Sequence, residues 1–154
     1  MSNAVETRLK ELGLSLPDAP PPGANYVPYV VSGSLVFVSG QVSMNADGFI
    51  TGKLGSDLTV EEGAAAAKGC ALSLLAQVKA ACGGDLSRLK RVVKLTGFVN
   101  SAPNFTDHPK VINGASDLLF ELLGDKGPHA RSAVGGGGSP SGVPGRLSVT
   151  SDTS

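Results

Sequence analysis

The stretch Thr59-Val60-Glu61-Glu62-Gly63-Ala64-Ala65-Ala66-Ala67-Lys68-Gly69-Cys70-Ala71-Leu72-Ser73-Leu74-Leu75-Ala76-Gln77-Val78 carries the clearest helix signal in the chain. Thr59 reads as an N-cap, and Glu62, at the third helical position, is placed to reach back and close a capping box. Ala64, Ala67, Ala71, Leu74, Leu75, Val78 and Cys82 recur at helical spacing as one apolar stripe, closed by Gly83-Gly84. A stripe of that length has to be covered. Its alanine-heavy first half predicts close approach to a sheet.

The flanking segments supply that sheet. Leu89 to Val99 is rich in Val and Leu and reads as a central strand, bent at Gly97. Asp107 and Pro109 open a second amphipathic helix with the face Val111, Ile112, Ala115, Leu118, Leu119 and Leu122, and Gly124 ends it. Upstream, Tyr26–Val31 and Leu35–Ser39 are β-rich runs about Ser32-Gly33-Ser34, a hairpin whose second strand ends at Gly40. Asn45-Ala46-Asp47-Gly48 is a turn before a short segment at Phe49 and Ile50, and residues 51–58 read as a polar loop. Ala130 to Val134 is one more strand. The order β-β-β-α-β-α-β predicts an α+β fold, an antiparallel or mixed sheet with both helices on one face.

The ends differ in composition from this middle. Asn3 and Glu6 form a candidate capping box for a short helix over residues 4–12, with Val5, Leu9 and Leu12 on one face and Gly13 as its stop. Pro17, Pro20, Pro21 and Pro22 make residues 14–25 an extended linker. The last twenty residues hold six Gly and five Ser, with only Val143, Leu147 and Val149 as large apolar side chains. By composition they read as a flexible tail with a weak strand near 146–150, and a shifted reading frame is one origin for such a tail. The organisation expected is therefore 1–25 helix and linker, 26–134 domain, and 135–154 atypical C-terminal segment.

Bulk composition narrows the function classes. The 154 residues carry 13 basic and 13 acidic side chains for a formal charge of zero, which speaks against a duplex-binding or membrane-surface protein. The most apolar run, Gly63 to Val78, is interrupted by Lys68 and falls short of a membrane span. No signal peptide is visible in the charged N-terminal residues. Cys70 and Cys82, twelve apart on one helix, are about 18 Å from each other and cannot bridge. Two free thiols fit a reducing, cytoplasmic setting.

No metal or cofactor is expected. His108 and His129, the only histidines, each adjoin a proline and have no ligand spacing to each other or to a cysteine. Cys70 is mid-helix, and Cys82 lies at a helix C-terminus, where the dipole raises a thiol pKa. Gly135 to Gly138 lacks the lysine and helix of a phosphate loop, and no nucleophile elbow is present. What remains is Arg131, within Gly127-Pro128-His129-Ala130-Arg131-Ser132-Ala133-Val134, whose planar fork of donors suits a carboxylate or phosphate. Beside it stand Tyr26 at the head of the first strand and Ser39-Gly40 at the end of the second. Each has a bland alternative: a surface arginine on an edge strand, a half-buried strand aromatic, a turn glycine.

Taken in order, Tyr26, Leu35-Val36-Phe37-Val38-Ser39-Gly40-Gln41, Val92-Val93-Lys94-Leu95-Thr96-Gly97-Phe98-Val99 and Ala130-Arg131-Ser132 resemble the Rid (reactive intermediate deaminase, or YjgF) family. With the N-terminal helix, the proline linker and Lys110-Val111-Ile112-Asn113-Gly114-Ala115-Ser116-Asp117, the chain is similar to the longer bacterial subgroup labelled endoribonuclease L-PSP or chorismate-mutase-like. The resemblance implies a chorismate-mutase-like fold and a homotrimer with ligand clefts between subunits. It implies that Arg131 grips the carboxylate of a 2-imino acid, that Gly40, after Ser39, makes a backbone contact, that Tyr26 lines the cleft and that Asn113 approximates a family asparagine. The implied activity is cofactor-free hydrolysis of reactive enamines or imines to a 2-oxo acid and ammonia.

The chain departs from that pattern near its end. The family's final-strand glutamate, which helps orient water, falls at Arg146, and Ala133 stands where some members carry cysteine. A trimer that binds small carboxylates without turnover is therefore the alternative reading. A ribonuclease is the weakest, given the balanced charge and two unclustered histidines.

Overall fold

The structure, a computed structural model, describes residues 4–19, 21, 24–45, 48–136, 138 and 142–153. The Asn3 cap, part of the proline linker and the centre of the Asn45–Gly48 turn lie outside the described residues. The chain runs α1 (Ala4–Glu11), β1 (Tyr29–Ser32), β2 (Leu35–Val42), β3 (Met44–Asn45), β4 (Gly48–Phe49), α2 (Val60–Ala81), β5 (Leu89–Asn100), α3 (His108–Leu123), β6 (Ala130–Gly136) and β7 (Gly145–Thr153). Five strands make one mixed sheet in the order β1-β2-β7-β5-β6, in which only the β5–β6 pair is parallel. The segment at Phe49 is not a strand of that sheet; β3 and β4 form a separate two-stranded hairpin.

The C-terminal segment corrects the expectation most. Residues 145–153 are the middle strand, paired antiparallel with β2 on one side and β5 on the other. Gly145, Leu147, Val149, Ser151 and Thr153 are buried, and the residues between them are half-exposed. That alternation is a strand's, although the inward set is mostly small or polar and so escaped notice by composition. A segment that pairs on both edges with this periodicity is a strand of the sheet and not a flexible tail.

One face of the sheet is the core. Val36, Val38, Val92, Leu95, Val99, Leu147 and Val149 join α2 and α3 in a single buried cluster, so both helices cover the same side. The Thr59 capping box forms in full: Thr59 Oγ1 accepts from the Glu62 backbone at 3.2 Å, and Glu62 Oε1 accepts from the Thr59 backbone at 3.0 Å. The alanine-rich half of α2 makes its closest approach to α3 rather than to a strand. A Cβ on Gly114 would collide with the Ala64 carbonyl. Gly97 in β5, read as a bend, is where Ile112 of α3 rests on the sheet. At the N-terminus, α1 buries Val5 and Leu9, and Glu6 meets Lys79 of α2 at 2.6 Å.

The opposite face carries Val30, Phe37, Phe98 and Val134, all more than two-fifths exposed. Their register partners, Val30 with Phe37 and Phe98 with Val134, put them side by side.

Candidate functional site

Strand β6 is an edge strand, and its register pairs Arg131 with buried Leu95, which turns the arginine toward the helices. There Arg131 Nη1 donates to Asn113 Oδ1 at 2.7 Å and to Ser116 Oγ at 3.2 Å, both on α3. His129 Nδ1 lies 2.6 Å from the Gly127 carbonyl, which can only accept, so Nδ1 carries a proton. In the neutral ring Nε2 then accepts from the Ser116 hydroxyl at 3.0 Å, leaving the Ser116 lone pairs to the guanidinium. The chain Gly127, His129, Ser116, Arg131, Asn113 thus holds one corner of the fork. Among the described residues, Nε and Nη2 of Arg131 have no protein acceptor.

Tyr26 and Gly40 meet elsewhere. They line a cavity of about 320 Å³ on the uncovered face, together with Phe98, Arg146, Leu147 and Ser148. β1 begins at Tyr29, so Tyr26 lies in the bend before it rather than at the strand's head. Gly40 does not end β2; it sits where the β2–β7 register slips between Val38 and Gln41, a bulge. The Arg146 stem crosses it: a Cβ on Gly40 would stand 3.0 Å from Arg146 Cγ and Cδ. The Arg146 guanidinium lies 5.3 Å from the centroid of the Phe98 ring. Among the described residues no acid or other acceptor pairs with it. Ser39 has a fastening role here. Its hydroxyl donates to the Val27 carbonyl at 2.7 Å and its backbone to the Pro28 carbonyl at 2.9 Å, which fixes the segment carrying Tyr26.

The five expected residues therefore fall into two groups, Asn113 with Arg131 and Tyr26 with Ser39 and Gly40. Within one chain Arg131 does not line the cavity over Gly40. Sequence reasoning missed Ser116 and His129, which are thirteen apart across the end of α3 and share no motif. It also missed Phe98, although an aromatic opposite Arg146 in register follows once β7 is a strand.

A second cavity, about 460 Å³, is lined by Lys53, Ser101, Phe105, His108 and Gly135 among others. Ser101 Oγ is 3.1 Å from His108 Nε2, and Phe105 meets the imidazole edge-on. Among the described residues no carboxylate orients His108, so the pair lacks the third member of a hydrolytic triad. Burial pushes the Cys70 thiol up to about 11, and burial also raises Cys82. Among the described residues no three of His, Cys, Asp and Glu converge, and no helix is long and apolar enough to cross a membrane.

Comparison with known proteins agrees with the architecture. The family model described as YjgF/chorismate_mutase-like, "putative endoribonuclease", matches residues 6–139. Protein TCP17 of Trypanosoma cruzi is 53% identical over 136 residues, 87% of this chain and 84% of its own. A crystal structure of a protein of unknown function from Agrobacterium tumefaciens is 46% identical, with a TM-score of 0.91 over 98% of this chain and 93% of that one. A "putative endoribonuclease" from Shewanella oneidensis is 37% identical, with a TM-score of 0.93 over 97% of this chain and 99% of its own.

Proposed function

The chain belongs to the YjgF/chorismate-mutase-like family, and on that premise we propose that it hydrolyses reactive enamine and imine intermediates to 2-oxo acids and ammonia. The observation that carries this reading is the fork of Arg131, held at one corner by Asn113 and Ser116, with no protein acceptor for its remaining donors among the described residues. A guanidinium fixed in that way is preorganised for a carboxylate, because the cost of ordering the side chain is met before the ligand arrives. The reaction asks little more. Water adds to the C=N carbon, the carbinolamine loses ammonia as a proton passes to nitrogen, and the oxygen remains as the ketone. Positioning the imine beside an ordered water supplies much of the acceleration, and no cofactor is required.

Arg131 and the Tyr26–Gly40 cavity are separate in one chain, and we assign their meeting to neighbouring copies in a homotrimer, with the ligand in the cleft between them. The exposed pairs Val30–Phe37 and Phe98–Val134 support this, since apolar side chains left exposed on a sheet face mark an interaction surface. A non-catalytic reading, a trimer that holds small carboxylates, is favoured by one feature: Arg146, rather than an acid, lines the cavity. Balanced charge disfavours an RNA substrate.

The test generates 2-iminobutanoate or 2-iminopropanoate with an amino-acid oxidase and follows release of the 2-oxo acid. Acceleration by the wild type that is lost in Arg131→Ala supports the deaminase. Arg131-dependent ligand binding with no acceleration selects the non-catalytic reading, and equal rates with and without protein alongside no ligand binding overturn both. Light scattering gives the assembly, expected at three times the 15.5 kDa chain mass.

A further inference from the structure

We propose that Arg146 is a second anion anchor, so that the ligands this protein prefers are 2-oxo or 2-imino acids carrying a second carboxylate. The inference rests on the reading of Arg131 as the first anchor. It begins with an imbalance: among the described residues the cavity over Gly40 is lined by one cation, Arg146, and by no acid. Arg146 is half-buried, its stem laid on Gly40 and its guanidinium over Phe98. A half-buried arginine with no protein partner among the described residues favours an anion beside it.

The geometry narrows the anion. Phe98 lies near the guanidinium and Gly40 is covered by the stem, while the in-plane N–H donors have no protein acceptor among the described residues. Donors in one plane match a carboxylate edge, two N–H groups to two oxygens. The aromatic walls at Phe98 and Tyr26 suit a short carbon chain between acidic ends. A volume of about 320 Å³ within one chain is at the small end for a ligand site and admits a four- or five-carbon acid. Two cationic forks satisfy two carboxylates, whereas a monocarboxylate leaves one of them unpaired. The plain alternative is that Arg146 only shields Phe98 from water, and that role makes no distinction between ligands.

Calorimetric titration of the full chain with 2-oxobutanoate and 2-oxoglutarate separates these. The wild type should bind 2-oxoglutarate about tenfold more tightly or better, the size of one charge-assisted pair. Arg146→Gln should erase that preference by weakening the diacid, and Arg146→Lys should restore part of it. Arg131→Gln should weaken both acids. A wild type without diacid preference, or an Arg146→Gln variant that keeps it, overturns the second anchor while Arg131-dependent binding of 2-oxobutanoate leaves the first intact. If 2-oxobutanoate binds without regard to Arg131, or neither acid binds, the functional reading falls and this inference with it.

Discussion

The stem of Arg146 lies across the α-carbon of Gly40, close enough that a Cβ there would stand 3.0 Å from two of its carbons. The backbone at Gly40 is not left-handed, so alanine is conformationally admissible and only the arginine objects. Gly40→Ala should therefore cost about 1 kcal/mol or less, since a flexible stem can shift by a few tenths of an ångström. The cost should vanish in an Arg146→Ala background. Chemical denaturation of the two single variants and the double variant measures that coupling.

Leu147 tests the middle strand. It is fully buried in β7, and Leu147→Ala should lower stability by about 2–5 kcal/mol. Thr150→Ala, on the uncovered face of the same strand, should cost less than about 1 kcal/mol. Similar small losses at both positions would mean that 145–153 is not integral to the sheet.

What could be read beforehand followed the range of the chemistry involved. The Thr59–Glu62 capping box is an interaction between residues three apart, and it forms as anticipated. β7 depends on which small side chains fit beneath α2, and nothing local marks Ser151 or Thr153 as inward-facing. The same limit applies to the glycines: Gly97 and Gly114 are required by Ile112 and Ala64, partners on other elements. At the site, Asn113 and Arg131 lie on different elements, and nothing in the local sequence marks that they meet. Arg146 was legible only as a departure, because its setting is assembled from β2, β5 and β7.

Gly114 and Gly97 should differ in their response to alanine. At Gly114 the obstacle is the backbone of Ala64, so α2 and α3 must separate; at Gly97 it is the Ile112 side chain, which can adjust. Gly97→Ala should cost about 1–3 kcal/mol and be partly relieved by Ile112→Val, whereas Gly114→Ala should cost more and find no such relief. Thermal melts of the four variants rank them.

Cys70 gives stability an alkaline limit. Its thiol titrates near 11 in the folded chain against an ordinary 9.0, so the neutral form is favoured by folding. That contribution is complete below pH 9 and declines as pH rises toward 11, at up to about 1.4 kcal/mol per unit. Denaturant midpoints of the wild type and Cys70→Ala should converge over that interval. A gap that stays constant from pH 8 to 11 would show that the thiol ionises freely in the fold.

The position of β7 also sets an order of events during synthesis. Until residues 145–153 have left the ribosome, β1–β2 and β5–β6 are two separate ribbons, each with an edge that has nothing to pair with. A two-stranded ribbon is marginal on its own, and its open edge invites pairing with other chains. The nascent protein must therefore hold its helices and both ribbons in waiting and close the sheet in a late step, through contacts more than a hundred residues apart in sequence between β2 and β7. Slowed elongation near the C-terminus, or loss of the last dozen residues, should send the chain to aggregates and not to a soluble, partly folded form.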